Sequence, residues 1–225
     1  MIYMTVVYED TEVAIKKKNK NEFIFLIKDR DNKYKKFWVN FPFSLIKVVS
    51  KDRQKTQNEY VIQAEKIEML DDVIKRDKNL SYTDSLTLLY DIGNQIQTLE
   101  MFNMGIPFIK LSDIMVVNDN HYFIINTSRI LPISNKQLTI GQPYKRTPFF
   151  SPELQNLNGI PSKIHWKSAY YSLASLIVYC LTNDYVLGNK LSSGEILDKI
   201  YETKLYWALE RCFVINPEDR FYLII

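Results

Sequence analysis

Short apolar runs alternate with polar turns over residues 1–66. Each run is rich in β-branched and aromatic residues, a composition that is typical of strands. Charged turns such as Glu9-Asp10 separate the runs. The pattern predicts an antiparallel meander of about five or six strands, over residues 2–8, 11–17, 22–28, 34–40, 44–50 and 59–65.

The hydrophobic period changes after residue 66. Ser81, followed three residues later by Asp84, is typical of a helix start. Apolar or small residues at helical spacing then predict a long buried helix over residues 82–103, which ends before Gly105. The residues that give this spacing are Leu86, Leu89, Gly93, Ile96, Leu99 and Met101.

Downstream of this helix the sequence predicts a hairpin at residues 114–117 and 122–125, with Asn118-Asp119-Asn120 as its turn. A long loop and further helices near residues 168–182, 192–201 and 202–213 follow. We therefore expect an α+β protein with a small β-rich lobe at residues 1–66 and a larger, mainly α-helical lobe at residues 67–225.

The composition is that of a globular protein, since 46% of the 225 residues are hydrophobic and 24% are charged. Lys and Arg number 29 against 26 Asp and Glu, and the formal charge of +3 is too small to argue for nucleic-acid binding. The longest apolar run, residues 170–181, is shorter than the roughly 18 residues that span a bilayer. We expect no membrane span, and the N-terminal residues lack the pattern of a signal peptide.

Two cysteines, Cys180 and Cys212, lie in apolar, helix-like stretches. So few cysteines exclude a disulfide-stapled secreted mini-fold, and we expect reduced core residues in an intracellular, cytoplasmic protein. Ile, Asn, Lys and Tyr are abundant, which is typical of an AT-rich genome such as that of a large DNA virus. A viral protein of this kind would act in the host cytoplasm or the virion.

Three later motifs share their order and spacing with one known family. They are TPFFSPE at residues 147–153, YSLA at residues 171–174 and NPEDR at residues 216–220. They resemble TPxYxAPE with one residue missing, WSLG and DPxxR of the eukaryotic-type protein kinases. The resemblance implies a bilobal kinase-like fold with a reduced N-lobe, and a buried bidentate ion pair between Glu153 and Arg220.

The resemblance begins at about residue 41. Residues 41–48 resemble the stretch that opens the fourth strand of the family, and residues 59–66 resemble the fifth strand running into the hinge. Ala64 would then be the gatekeeper, and Glu65 would open the hinge. Residues 69–74 are similar to the short helix that follows the hinge.

The resemblance also shows which catalytic groups the chain has lost. The first glycine is Gly93, so no glycine-rich loop can approach nucleotide phosphates. Phe108 falls on the catalytic Asp, and it can neither accept a proton nor orient a hydroxyl. Lys110 falls on the catalytic-loop lysine, and Asp113 falls on the magnesium-binding asparagine.

Two further positions are degenerate. Asn126 falls on the main magnesium-binding Asp, and an amide oxygen is a poorer ligand for that cation than a carboxylate. Ala169 falls on the Asp of the central helix that holds the catalytic loop. We therefore expect no catalytic residue, no metal site and no cofactor.

The strand lysine of the family has two candidates. Lys16 lies in VAIK, which reads like the motif of the family, but only twelve residues precede this stretch. Lys28 is the rival, if residues 34–40 replace the regulatory helix of the family. The alternative interpretation is that Lys16 and Lys28 are solvated lysines at the ends of strands. With Ala64 and Glu65, these lysines are vestigial candidates for nucleotide binding.

The function predicted from these residues is that of a pseudokinase, an inactive kinase-like protein that acts as a protein-interaction or regulatory scaffold. Its partner would be a protein, such as an active kinase or the substrate of that kinase. The first alternative is a divergent ATP-dependent phosphotransferase that uses Lys110, Asp113 and Asn126 around a nucleotide.

The second alternative is an RNA- or phosphate-binding module on the basic first lobe. Its candidate residues are Lys16, Lys17, Lys18, Lys20, Lys33, Lys35 and Lys36, beside Phe37 and Trp38. A solvated sheet face is the competing interpretation of these lysines. His121 and His165 have no second ligand at a suitable spacing, so neither a zinc site nor a catalytic triad is expected.

Overall fold

The computed structural model describes residues 5–28, 34–53, 57–186, 195 and 197–222. The chain divides into two compact units. Unit 1 comprises Met1–Val73 and Ser112–Ser128, and unit 2 comprises Ile74–Leu111 and Arg129–Ile225. Unit 1 is discontinuous in sequence because the strand at Ile67–Met69 pairs with a later strand at Ile114–Val117.

Unit 1 contains a five-stranded antiparallel sheet with the order β1-β2-β3-β5-β4. The strand β3 pairs with β5 rather than with β4, so the predicted simple meander is wrong in its last two strands. The predicted strand at residues 44–50 begins later, because a 3-10 turn occupies Phe43–Leu45. The strands are β1 (Thr5–Glu9), β2 (Val13–Lys17), β3 (Glu22–Ile27), β4 (Lys47–Arg53) and β5 (Asn58–Gln63).

The predicted strand at residues 34–40 is also wrong, since Lys35–Val39 forms the helix α1. Tyr34, Phe37, Trp38 and Phe41 are all buried, and their i, i+3, i+4, i+7 spacing is that of one helix face. A strand would have sent neighbouring Phe37 and Trp38 to opposite faces. The helix therefore forms because it directs both rings into one aromatic cluster.

That aromatic cluster fills one face of the sheet. The ring of Phe25 in β3 lies 5.9 Å from that of Trp38 and 5.7 Å from that of Phe41, centroid to centroid. Phe43 stacks on Tyr60 of β5 at 4.2 Å. Aromatic pairs at these separations add to the stabilisation from burial, so the cluster fixes α1 against the sheet.

A second, three-stranded sheet of unit 1 has the order β6-β8-β9, with β6 at Ile67–Met69, β8 at Ile114–Val117 and β9 at His121–Ile124. The predicted hairpin is therefore present. Asn118 and Asp119 in its turn both have positive φ, at 52° and 60°. Asn and Asp tolerate this conformation better than most residues, which explains the tight connection.

Unit 2 is built mainly on helices, and α3 (Tyr82–Met101) packs against α5 (Ser168–Thr182). Ser81 caps α3 as the sequence predicts, since its hydroxyl accepts a hydrogen bond from the backbone N–H of Asp84 at 3.1 Å. Besides α1, the described residues form three shorter helices, α2 (Leu70–Asp77), α4 (Pro152–Gln155) and α6 (Lys204–Cys212). Of the predicted helix at 192–201, residues 192–194 and 196 lie outside the described chain, and Asp198–Ile200 is a 3-10 turn.

The prediction of a long loop after the hairpin is wrong. Three strands of this region join the earlier strand β7 in a four-stranded antiparallel sheet of unit 2, with the order β12-β11-β10-β7. Short strands and a tight turn at Asn135 and Lys136, both with positive φ, make it hard to see in the sequence. The strands are β7 (Met104–Gly105), β10 (Leu131–Ser134), β11 (Gln137–Ile140) and β12 (Ser162–His165).

The α+β class is thus confirmed, since the described residues form antiparallel sheets and six α-helices. Cys180 and Cys212 are buried and free, and burial raises the pKa of both thiols. Within the described ranges, no helix has both the length and the hydropathy required to cross a membrane.

The close contact between Gly93 and Tyr222 in unit 2 gives a stability prediction. A Cβ at Gly93 would overlap the ring of Tyr222, whose hydroxyl donates to the carbonyl of Leu89. Gly→Ala inside a helix normally stabilises by about 1 kcal/mol. We expect Gly93→Ala to destabilise the chain by about 1–3 kcal/mol in urea denaturation, because Tyr222 has to move.

Gly141→Ala is the matched control, because no atom lies within 4 Å of the added Cβ. It should leave the free energy of unfolding within about 0.5 kcal/mol of the parent value. A Gly93→Ala variant as stable as the parent would show that Tyr222 does not pack on this helix.

Candidate functional site

Phe108, in unit 2, occupies the position that the resemblance assigns to a catalytic carboxylate. Its ring is 1% exposed and packs edge-to-face against Phe150 at 4.6 Å and Tyr144 at 5.1 Å. The guanidinium carbon of Arg129 lies 4.6 Å from the ring centroid, and the Lys110 Nζ lies 5.5 Å from it. This arrangement has aromatic faces and cations, but the ring itself offers no group that can take a proton.

Two serines of α5 hold the loop that carries Phe108. The Ser168 hydroxyl donates to the carbonyl of Pro107 at 2.9 Å, and the Ser172 hydroxyl accepts from the backbone N–H of Ile109 at 2.9 Å. Ala169, where the resemblance implies a loop-supporting Asp, is fully buried beside them. Two neutral hydroxyls therefore satisfy buried backbone groups of this loop.

Sequence reasoning missed the role of these serines and of the cation Arg129. Serines four residues apart on one apolar helix are a signal that could have revealed the first, because a buried hydroxyl needs a partner. Arg129 gave no such signal, because its distance from Phe108 depends on the tertiary fold.

Glu153 at the start of α4 and Arg220 form a bidentate ion pair in unit 2. The Arg220 Nη1 donates to Glu153 Oε1 at 2.6 Å, and Nη2 donates to Oε2 at 3.0 Å. Arg220 also donates to the carbonyls of Val214 at 2.7 Å and Ile215 at 3.1 Å. Its side chain is fully buried, whereas that of Glu153 is 20% exposed. The two side chains that the resemblance pairs are thus in contact.

The tyrosine of the YSLA motif belongs to the same cluster. The guanidinium carbon of Arg220 lies 5.1 Å from the ring centroid of Tyr171. Burial raises the pKa of Tyr171, and the charge of Arg220 opposes that shift. The phenol is therefore neutral near pH 7 and acts as an aromatic face for the cation.

In unit 1, Asn118 uses its side chain to cap the segment that resembles a hinge. Its Oδ1 accepts from the backbone N–H groups of Glu65 at 2.8 Å and Lys66 at 3.2 Å. Its own N–H donates to the carbonyl of Lys66, and the N–H of Ala64 donates to the carbonyl of Asn21. A purine bound at a hinge needs free backbone donors and acceptors, so these bonds compete with nucleotide binding.

Asp113 and Asn126, which the resemblance aligns with metal-binding positions, lie together in unit 1. Asn126 donates from Nδ2 to the carboxylate of Asp113 at 3.0 Å, and Asp113 is 3% exposed. The Asn126 Oδ1 accepts from the N–H of Ser128 at 3.1 Å and from its hydroxyl at 2.6 Å. The amide oxygen that could coordinate a hard cation is therefore engaged by Ser128.

No cluster of three or more His, Cys, Asp or Glu side chains suited to a metal ion occurs among the described residues. His121 lies in unit 1 and His165 in unit 2. The Nδ1 of His165 accepts from the N–H of Lys167, and burial lowers the pKa of this imidazole. The arrangement fits a structural histidine.

The two strand lysines differ in their partners. Lys28 donates to Glu9 Oε1 at 2.8 Å and to the carbonyl of Asp10 at 3.2 Å. The hydrogen bond from Lys28, with its charge and that of Lys16, lowers the pKa of Glu9. Lys16 lies at the partly exposed end of β2. Lys28 therefore ties β3 to the β1–β2 turn.

Neither a scan against protein-family models nor a search of the curated proteins finds a match to this chain.

The ion pair predicts a large loss of stability when its cation is removed. We expect Arg220→Leu to lower the free energy of unfolding by about 3 kcal/mol in urea denaturation, because Glu153 and two carbonyls lose their donor. Arg76→Leu, which removes an exposed ion pair to Asp77, should cost less than about 0.5 kcal/mol. Equal losses for the two variants would contradict this role of Arg220.

The serines of α5 give a second test on one helix. Ser172→Ala should cost about 1–2 kcal/mol, because the N–H of Ile109 is left buried without this acceptor. Ser175→Ala should be neutral or stabilising, since the buried Ser175 hydroxyl has no hydrogen-bond partner among the described residues. Denaturation curves that rank the two variants in the opposite order would refute the proposed loop support.

Proposed function

We propose that this chain is a kinase-like protein that does not transfer phosphate and that acts by binding another protein. The framework of unit 2 supports this proposal. Its bidentate Glu153–Arg220 pair joins the first and the last of the three motifs that resemble family motifs, and α5 supports the loop at residues 107–109. The helix α1 lies between β3 and β4, where the family has its regulatory helix.

The observation that carries the proposal is the environment of Phe108. An active kinase needs a carboxylate at this position to orient the attacking hydroxyl. Here the position holds a buried ring packed by Phe150, Tyr144 and Arg129. Because the ring fills the space and has no basic atom, unit 2 offers no group at this point for phosphoryl transfer.

The nucleotide-binding remnants of unit 1 support the same proposal. Asn118 engages two backbone donors of the hinge-like segment, and Ser128 engages the amide oxygen of Asn126. A phosphotransferase that used Asp113 and Asn126 would have to break the bond between them before it bound Mg²⁺. The structure therefore favours binding over catalysis.

A protein partner follows from what the chain retains. A kinase-like framework without nucleotide chemistry can still present the surfaces that an active kinase or its substrate recognises. We propose such a protein as the partner, with the chain acting as a regulatory scaffold.

Nucleotide binding and phosphate transfer test this proposal directly. We expect millimolar ATP to leave the thermal denaturation of the full chain unchanged, with Mg²⁺ or with EDTA. A nucleotide at about 100 times its Kd would add about 2.7 kcal/mol. We also expect no transfer from γ-labelled ATP to the chain or to a generic protein substrate.

Two outcomes would overturn the proposal. The first is a thermal shift that requires Mg²⁺, since it would mean that Asp113 and Asn126 rearrange around a metal–nucleotide complex. The second is autophosphorylation that Lys110→Ala abolishes, because a contaminating kinase would be insensitive to this change.

A further inference from the structure

A surface pocket of about 270 Å³ lies beside the Phe108 cluster in unit 2. Tyr144 and Phe150, which pack against Phe108, also line this pocket. Leu154 and Ile160 add aliphatic surface to the lining. The pocket therefore combines an aromatic wall with aliphatic contacts, and its size suits one bulky amino-acid side chain.

The lining of this pocket carries a positive charge. Arg146 is the charged member of the lining, and no lining residue within the described chain is acidic. Lys145 is exposed next to Arg146. Glu153 adjoins the lining residue Leu154, but its carboxylate is paired with Arg220. The lining therefore favours an anionic ligand.

The pocket is held in a fixed shape by interactions within unit 2. Gln155, in its lining, donates from Nε2 to the carbonyl of Phe150 at 2.9 Å. The helix α4, which supplies Leu154 and Gln155, is anchored through the ion pair between Glu153 and Arg220. A preformed pocket loses little conformational entropy on binding, so a short segment could bind there with useful affinity.

We propose that this pocket binds an acidic segment of a partner protein. One bulky apolar side chain of the segment enters between the Tyr144–Phe150 wall and Ile160, and a neighbouring carboxylate pairs with Arg146. The inference rests on the proposed protein-binding function and names the chemistry of the partner. A nucleic-acid strand fits less well, because it needs a row of cations along a groove, and this pocket is lined by one.

A selection with a phage-displayed library of random dodecapeptides tests the proposal. The full chain is the target, and the double variant Arg146→Glu/Ile160→Glu is the counter-target. Arg146 and Ile160 are exposed, so these changes should leave the fold intact, which a thermal denaturation curve would verify. Lys199→Glu, an exposed charge reversal outside the pocket lining, is the matched control.

We expect the enriched peptides to carry an aromatic or large aliphatic residue flanked by Asp or Glu. In fluorescence anisotropy with the leading labelled peptide, Arg146→Glu and Ile160→Glu should each weaken binding by about tenfold or more. Replacing the apolar anchor of the peptide by Ser should have a similar effect, while Lys199→Glu should change the affinity less than about twofold.

Three results would overturn the proposal. They are a selection that enriches no peptide over the counter-target, an enrichment of basic or uncharged peptides, and binding that the pocket variants do not weaken. A failure of the proposed function would be seen in a different measurement. Phosphate transfer that depends on Lys110 would show that the chain is an active enzyme, whatever the peptide selection gives.

Discussion

Arg220 is fully buried, and a guanidinium in that position is tolerated only when its donors are satisfied. Glu153 and the carbonyls of Val214 and Ile215 meet this requirement. The pair joins residues 67 positions apart, so it holds α4 and the segment that follows α6 in one arrangement. Part of the lining of the proposed pocket depends on it, since Leu154 and Gln155 belong to α4.

The interior near Phe108 shows how neutral groups can support a buried loop. A carboxylate on α5 would introduce a buried charge that needs compensation. Ser168 and Ser172 make hydrogen bonds to the loop without that cost, and Ala169 between them in sequence is fully buried. The ring of Phe108 on the same loop packs with Phe150 and contributes apolar burial.

Local signals in the sequence predicted the elements whose pattern is strong. Ser81 with Asp84 predicted the start of α3, and Asn118-Asp119 predicted the turn of a hairpin. The helix α1 was missed because its aromatic residues suggested a strand, although their spacing is helical. The strands β10 to β12 were missed because their four-residue segments, LPIS, QLTI and SKIH, mix polar with apolar residues, whereas the equally short β8, IMVV, is wholly apolar. The capping of the hinge-like segment by Asn118 depends on tertiary contacts that no local pattern encodes.

Polar groups are used differently in different parts of this molecule. Enzymes leave donors, acceptors and charges available at a site, and this costs stability. Here Asn118 engages the backbone donors of Glu65 and Lys66, and Asn126 is engaged by both Asp113 and Ser128. Satisfying these groups internally stabilises unit 1. Arg146, by contrast, is exposed beside an apolar pocket, so binding there would add contacts without breaking internal ones.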